Sequence, residues 1–349
     1  MVKLGDVINV HYGKALKADQ RVSNGSVHVF GSSGIVGNHD KTLCSYPTII
    51  IGRKGSVGAI TWAPDGGWII DTAYYVEIKD NNKLDLRYLF YILSGIDLTK
   101  KTITTSIPGL NRDDLYDTFI KLPPFEEQKR IVDLLDKAEG IRQKREQAIK
   151  LADDFLRATF ATMYGNPITN PKKWPVHLMG EIIEFKGGNQ PPKSDFIFEP
   201  KQGYIRLVQI RDFKSDKYAT YIPQEKAKRI FEVDDVMIAR YGPPVFQILR
   251  GLSGSYNVAL MKASPKENIR KGFIFYLLQL PEYHDVVVKN SERTAGQTGV
   301  NLELLNKFNV PLPPIYYQDE ILARLARIEK FKEKIEISLN HLEMQFLSL

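Results

Sequence analysis

Leu122-Pro123-Pro124-Phe125-Glu126-Glu127-Gln128 returns 190 residues later as Leu312-Pro313-Pro314-Ile315-Tyr316-Tyr317-Gln318. A strand-like run precedes each copy (Phe119-Ile120-Lys121-Leu122 and Phe308-Asn309-Val310). Proline suits the first helical turn, where its missing N–H costs nothing. Acidic residues follow it, Glu126 and Glu127 in one copy and Asp319 and Glu320 in the other. They complement the positive end of a helix dipole. Both copies therefore read as the start of a helix.

Outward from these starts, further matches run in chain order. Gly109-Leu110-Asn111 returns as Gly299-Val300-Asn301, and Leu89-Phe90-Tyr91 as Ile274-Phe275-Tyr276. Ile51-Gly52-Arg53-Lys54-Gly55 returns as Ile238-Ala239-Arg240-Tyr241-Gly242, and Leu4-Gly5-Asp6-Val7-Ile8 as Met179-Gly180-Glu181-Ile182-Ile183. The offset drifts from 175 to 190 along the chain, as duplication followed by loop insertion would produce. The chain reads as globular unit (1–121), helix (122–165), globular unit (166–311), helix (312–349).

The first helical arm runs without proline from Phe125 to Tyr164 and stops at Gly165-Asn166-Pro167, a C-cap glycine with proline just beyond. At about 1.5 Å per residue its roughly 40 residues predict a rod of roughly 60 Å. Its apolar stripe includes Ile131, Leu135, Ala138, Ile149 and Leu156. The second arm carries Ile321, Leu325, Ile328, Ile335, Leu339, Leu342 and Phe346 at alternating spacings of four and three, broken only by Lys332. That is a coiled-coil seam. Each arm could pack on its own globular unit. The similar length of the stripes favours the two arms packing on each other, antiparallel.

Each globular unit mixes short apolar runs with turn signals. Strands are expected at 45–51, 68–70 and 73–78, and again at 204–210, 235–239 and 258–261. Helices are expected at 86–93 and 271–280, and Asn111 is a plausible N-cap. The fold class is α+β, with one α/β unit used twice.

The 349 residues predict about two domains, and 43% hydrophobic with 26% charged residues is globular composition. Cys44 is the single cysteine, so an intrachain disulfide and a cysteine-cluster zinc site are both excluded. No apolar run reaches the length of a signal peptide or a membrane span, which makes the cytoplasm the expected compartment. Of the net charge of +7, residues 165–312 carry +6. A basic domain favours an anionic partner, most commonly nucleic acid.

Catalytic patterns are weak. Asp65, Glu77 and Lys79 fit the spacing of a metal-dependent nuclease motif, but Pro64-Asp65-Gly66-Gly67 is an ordinary turn sequence and the second unit has no carboxylates in the comparable stretch. Residues 52–58 (Gly-Arg-Lys-Gly-Ser-Val-Gly) do not match a phosphate loop and read as a tight turn exposing two cations. There is no Walker motif, no zincin pair among the six histidines and no nucleophile elbow. Binding is the better reading. Candidate DNA-facing groups are Lys14, Lys17, Arg53, Lys54, Ser56 and Arg112 in the first unit. Those of the second are Lys186, Lys193, Arg206, Gln209, Arg211, Arg240, Tyr241 and Arg293. Arginine and glutamine can read base edges, whereas lysine mostly holds phosphates. A coiled-coil adaptor with a basic RNA-binding domain is a further alternative.

The repeated Leu-Pro-Pro…Gln starts, the Gly-Leu-Asn and Gly-Val-Asn turns, and the unit openings Lys3-Leu4-Gly5-Asp6-Val7 and Trp174 to Glu181 resemble the specificity (S) subunit of type I restriction-modification systems. The resemblance covers essentially the whole chain. Tyr316-Tyr317 departs from the Glu126-Glu127 of the first helix start. It implies two target-recognition domains related by a pseudo-twofold, held apart by two long helices that form an antiparallel coiled coil. Each domain would read one half of a bipartite, asymmetric site in double-stranded DNA. The helices would set the spacing and dock two methyltransferase (M) subunits, with restriction (R) subunits joining them. The chain itself would bind no cofactor and do no catalysis. S-adenosylmethionine, ATP and Mg²⁺ would serve the partner subunits. Apolar arm surface left over for M subunits makes self-association of the isolated chain an expectation.

Overall fold

In each half of the chain the first strand pairs with the strand that leads into the arm. Val2–Lys3 runs antiparallel to Phe119–Ile120, and Val176–Leu178 antiparallel to Asn309–Pro311. Both ends of each globular lobe are thereby tied to the root of an arm. The computed structural model describes residues 1–103, 109–242, 245–293 and 299–347, without the side chains of 101–103, 292–293, 343 and 345–347. Two compact units emerge, Met1–Arg142 and Gln143–Leu349. The division falls inside the first arm because the two ends of that helix join different cores.

The same four-stranded antiparallel sheet is built twice. In the first unit its order is Ile8–Tyr12, Ala73–Ile78, Thr48–Gly52, Ile60–Ala63. In the second it is Ile183–Gly187, Leu260–Pro265, Val236–Ala239, Ile248–Leu249. The strand Thr48–Gly52 is buried along its whole length, and period-two alternation divides its isoleucines between two cores. Ile49 and Ile51 join the core beneath helix Leu86–Ser94, with Leu89 and Leu93. Ile50 faces a second, smaller sheet with Phe30 and Ile69. Val236–Ala239 repeats the arrangement. Val236 and Ile238 meet Phe273 and Leu277, while Met237 and Ala239 meet Val208 and Tyr256. The smaller sheets each contain a parallel pair, Val27–Gly31 with Trp68–Ile69 and Tyr204–Val208 with Gly254–Tyr256.

One glycine is demanded at the same place in both units. A Cβ on Gly13 would lie 2.0 Å from the Ile70 carbonyl oxygen, and one on Gly188 would lie 1.9 Å from that of Asn257. No other residue fits there. The expected strands form with shifted ends, since 45–47, 209–210 and 258–259 lie outside the sheets and the last strand runs on to Pro265. The helix expected over 271–280 ends at Leu277, and a second helix, Pro281–Arg293, follows with proline at its first position.

The arms are helices Phe125–Tyr164 and Ile315–Leu347. Within the second unit they run antiparallel. Arg145 donates to the Ser338 carbonyl (2.7 Å), Asp153 pairs with Lys332 (2.7 Å), and Tyr317 donates to the Met163 carbonyl (3.1 Å). Lys332, which interrupts the apolar seam, thus meets a carboxylate on the facing helix. The arms also take part in the globular cores, so both packing modes coexist. Leu156, Phe160, Ile321 and Leu325 are buried in the core of the second unit, and Ile131 packs on that of the first. Leu135, Ala138, Ile149, Ile328, Ile335, Leu339 and Leu342 are half-buried, and the Phe346 side chain lies outside the described residues.

Each arm is fastened to its lobe by a guanidinium held among aromatic rings. Arg87 lies 4.9, 4.8 and 4.9 Å from the ring centroids of Trp62, Phe90 and Tyr91 and pairs with Asp136 of the first arm (2.8 Å). Arg250 lies 3.9 and 5.6 Å from those of Phe275 and Tyr276 and pairs with Glu329 of the second arm. The aromatic pair is the repeated Phe-Tyr of the sequence, whereas the arginine and the carboxylate come from non-equivalent positions. Arg250→Met keeps most of the packing but leaves Glu329 without its cation. Thermal unfolding of the second unit is expected to fall by the equivalent of about 1–2 kcal/mol.

Candidate nucleic-acid interface

The turn after the buried strand of each main sheet brings several of the sequence candidates together. In the first unit it follows Thr48–Gly52. The loop is closed by the Gly52 and Gly58 N–H groups, which donate to the carbonyls of Ala59 and Gly52 (2.8 Å each). Gly55 adopts φ +79°, and Lys54 and Ser56 project into solvent. The Arg53 and Lys54 N–H groups donate to the Thr72 carbonyl (2.9 and 3.1 Å). The Arg53 carbonyl accepts from the Leu110 N–H (3.0 Å), which ties the turn to the residue just before the Asn111 N-cap.

The second unit repeats this turn after Val236–Ala239. Gly242 adopts φ +81°, matching Gly55, and the Arg240 carbonyl accepts from the Val300 N–H (3.1 Å). Left-handed backbone at the same position of both turns explains why glycine recurs there. The side chain at the tip differs, being Lys54 in one turn and Tyr241, 40% exposed, in the other.

Around the first turn the structure adds a residue that the sequence reading missed. Tyr12 ends the first strand of the main sheet and is 47% exposed. The Arg53 and Arg112 guanidinium carbons lie 5.0 and 5.2 Å from the centroid of its ring. Tyr74 meets Tyr12 edge-on (5.1 Å), and burial, together with the Tyr12 hydroxyl, pushes its own hydroxyl up to about 12. An aromatic residue two positions before the candidate Lys14 was the available signal. Lys14 and Lys17 are exposed on the segment that follows.

In the second unit Gly187 stands where the first has Tyr12, and a Cβ there would lie 3.2 Å from Arg240 Nη1. Lys186 and Lys193 are exposed. Arg211 stacks on Tyr218 at 5.5 Å, with Gln209 half-buried nearby in sequence. Arg206 is turned inward. Its guanidinium pairs with Asp216 at 2.7 Å and its side chain is only 18% exposed, so its charge is already answered. The Arg293 side chain lies outside the described residues.

The nuclease triad is not assembled. Glu77 pairs with His11 (2.9 Å), and the Lys79 ammonium donates to the Gly5 carbonyl (2.6 Å). Lys266 makes the equivalent bond to Gly180 in the second unit (2.6 Å), which marks the lysine as a repeated structural tie. Among the described residues no group of three or more histidine, cysteine or carboxylate side chains could hold a metal ion, and no helix is long and apolar enough to cross a membrane.

Comparison with known proteins agrees with the duplicated architecture. The chain is 22% identical over 336 residues to the EcoBI type I restriction enzyme specificity subunit of Escherichia coli, covering 85% of this chain and 70% of that protein. It is 21% identical over 305 residues to the MjaVIII specificity subunit of Methanocaldococcus jannaschii, covering 75% and 69%. Its fold matches the crystal structure of a type I S subunit from M. genitalium with TM-score 0.63 at 16% identity, over 99% of this chain and 94% of that one. A chain from a study of complex assembly and conformational transition in a type I system matches with TM-score 0.56 at 19% identity, over 99% and 95%. The family model for the type I restriction modification DNA specificity domain matches residues 1–151 and 171–343. With nearly its whole length so matched, in two segments that follow the internal repeat, the chain belongs to the type I restriction modification DNA specificity family.

Proposed function

We propose that this chain is the sequence-reading subunit of a type I restriction-modification complex and does no chemistry of its own. Each globular unit reads one half of a bipartite, asymmetric DNA site. The arms set the gap between the halves and dock two methyltransferase subunits, which supply S-adenosylmethionine chemistry, while restriction subunits add ATP- and Mg²⁺-dependent cleavage. The observation that carries this reading is the turn built twice on one sheet, with the same arginine and the same left-handed glycine but Lys54 at one tip and Tyr241 at the other. Like scaffolds with unlike tips are what two dissimilar half-sites require.

The test is to map methylated adenines genome-wide with and without this gene. Loss of methylation at a single two-part motif is expected. Unchanged methylation, or Mg²⁺-dependent DNA cleavage by the purified chain that Glu77→Ala abolishes, would overturn the reading.

A further inference from the structure

The first unit gathers positive charge without answering it. Arg53 and Arg112 both lie against the Tyr12 ring, and neither has a carboxylate within 4 Å among the described residues. Like charges repel, so two guanidiniums converging on one half-exposed ring cost energy unless an anion joins them. A second observation points the same way. The Arg112 Nε–H is buried and has no hydrogen-bond partner among the described residues. A guanidinium with one donor already unanswered gains from an anion that its outward-facing donors can reach. Arg53 is held from behind, since its Nη1 donates to the Asp71 carbonyl (3.3 Å) and its main chain is fixed by Thr72 and Leu110. Two planar, donor-rich groups beside an aromatic face match a phosphodiester, which guanidinium binds through paired N–H donors.

The second unit lacks this arrangement. Arg240 occupies the place of Arg53, and its buried Nε–H likewise has no partner among the described residues. Leu302 stands in the place of Arg112, and Gly187 in that of Tyr12. One guanidinium, stacked on its own neighbour Tyr241 at 5.0 Å, replaces two.

We propose that Arg53 and Arg112, seated on Tyr12, form a DNA phosphate clamp confined to the first unit, so that the two half-sites are gripped unequally. The clamp supplies affinity and positioning, while base discrimination comes from other side chains. It rests on the DNA-reading function proposed above, and it makes a separate claim about which groups touch the backbone.

The experiment measures binding of the full-length chain to three probes across a series of salt concentrations. They are a random-sequence duplex, a duplex carrying the mapped target, and inorganic phosphate. The proteins are the natural chain, Arg112→Gln, Arg112→Lys, Arg53→Gln combined with Arg112→Gln, and Arg240→Gln. Each phosphate contact contributes roughly 0.9 to the slope of log affinity against log salt. Arg112→Gln is expected to lower that slope by about one, and affinity about tenfold, equally for random and target duplexes. Arg112→Lys keeps the charge and is expected to restore the slope, which separates lost contact from lost folding. Arg53→Gln combined with Arg112→Gln is expected to lower the slope by about two, whereas Arg240→Gln, which removes the single guanidinium at the matching place in the second unit, is expected to lower it by about one at most; equal falls would overturn the unequal grip.

An unchanged slope in Arg112→Gln would overturn the clamp, and so would a loss confined to the target duplex, which would make Arg112 a base reader. Equal protection of the site by millimolar inorganic phosphate and by duplex would overturn the DNA assignment in favour of a free-phosphate site. If the slope falls as expected but the natural chain shows no preference for any target, the clamp stands and the sequence-reading function fails.

Discussion

Seven residues inserted into each arm at matched levels are expected to lengthen the gap in the recognised DNA by about three base pairs and to leave both half-sequences unchanged. The matched levels are between Lys144 and Arg145 and between Ser338 and Leu339, because Arg145 donates to the Ser338 carbonyl across the seam. Seven residues add about 10 Å of helix at roughly 1.5 Å each. Duplex DNA rises about 3.4 Å per base pair, so the added length corresponds to about three. Seven residues also return the helix to within about 20° of its former rotation, which keeps the half-buried stripe of Ile149, Ile328 and Ile335 on the seam. A two-residue insertion at the same places is the contrast. It rotates everything beyond it by about 200°, turns the stripe to solvent, and is expected to abolish assembly instead of altering the target. Methylation mapping in cells carrying each variant reads the outcome. An unaltered gap in the seven-residue variant would mean that the arms do not set it.

Much of this architecture is visible in the sequence because it depends on residues that backbone geometry demands. The Pro-Pro helix starts at 123–124 and 313–314, the stop at Gly165 and the heptad spacing from Ile321 all act within a few residues of chain, so their pattern survives as text. The five ordered matches correspond to specific ties in the structure. Leu4 and Met179 anchor the unit openings, the Phe-Tyr pairs hold the arm-fastening arginines, and Gly109 and Gly299 flank the repeated turn. What the sequence hides is partnership at a distance. Nothing near Arg87 or Arg250 shows that each meets an arm carboxylate, since the arginine and the acid come from non-equivalent positions in the two units. Arg206 looks like any exposed cation until Asp216 is placed beside it. Tyr12 looks like a strand residue until residues 53 and 112, far apart in the chain, converge on its ring. The orphaned donors of Arg112 and Arg240 are likewise legible only once burial is known.

The glutamine that ends each Leu-Pro-Pro motif is where the largest stability effect is expected. Gln128 and Gln318 are both fully buried, at 0% exposure, although each sits in the first turn of a long polar helix. The Gln128 amide donates to the carbonyls of Lys83 and Pro123 (2.8 and 2.9 Å), and its oxygen accepts from the Asp85 N–H (2.9 Å). Gln318 makes the same three bonds, donating to Asn268 and Pro313 (2.8 Å each) and accepting from the Arg270 N–H (2.8 Å). Each side chain therefore pins the start of an arm to the turn that opens the lobe's first long helix, Leu86–Ser94 in one case and Lys271–Leu277 in the other. Leucine has nearly the same volume and none of the polar atoms. Gln128→Leu or Gln318→Leu leaves two buried carbonyls and one N–H without partners, at about 1–3 kcal/mol for each unsatisfied group. Allowing for partial relaxation, a loss of about 3–5 kcal/mol is expected in the unit that carries the substitution. Glutamate at either position keeps the acceptor but not the donors and should fare little better, because it would bury an unpaired charge. Hydrogen exchange localises the outcome. Gln128→Leu is expected to speed exchange in Leu86–Ser94, and Gln318→Leu in Lys271–Leu277. Equal exchange in both units for either variant, or melting unchanged from the natural chain, would show that the motif's glutamine is not what holds arm to lobe.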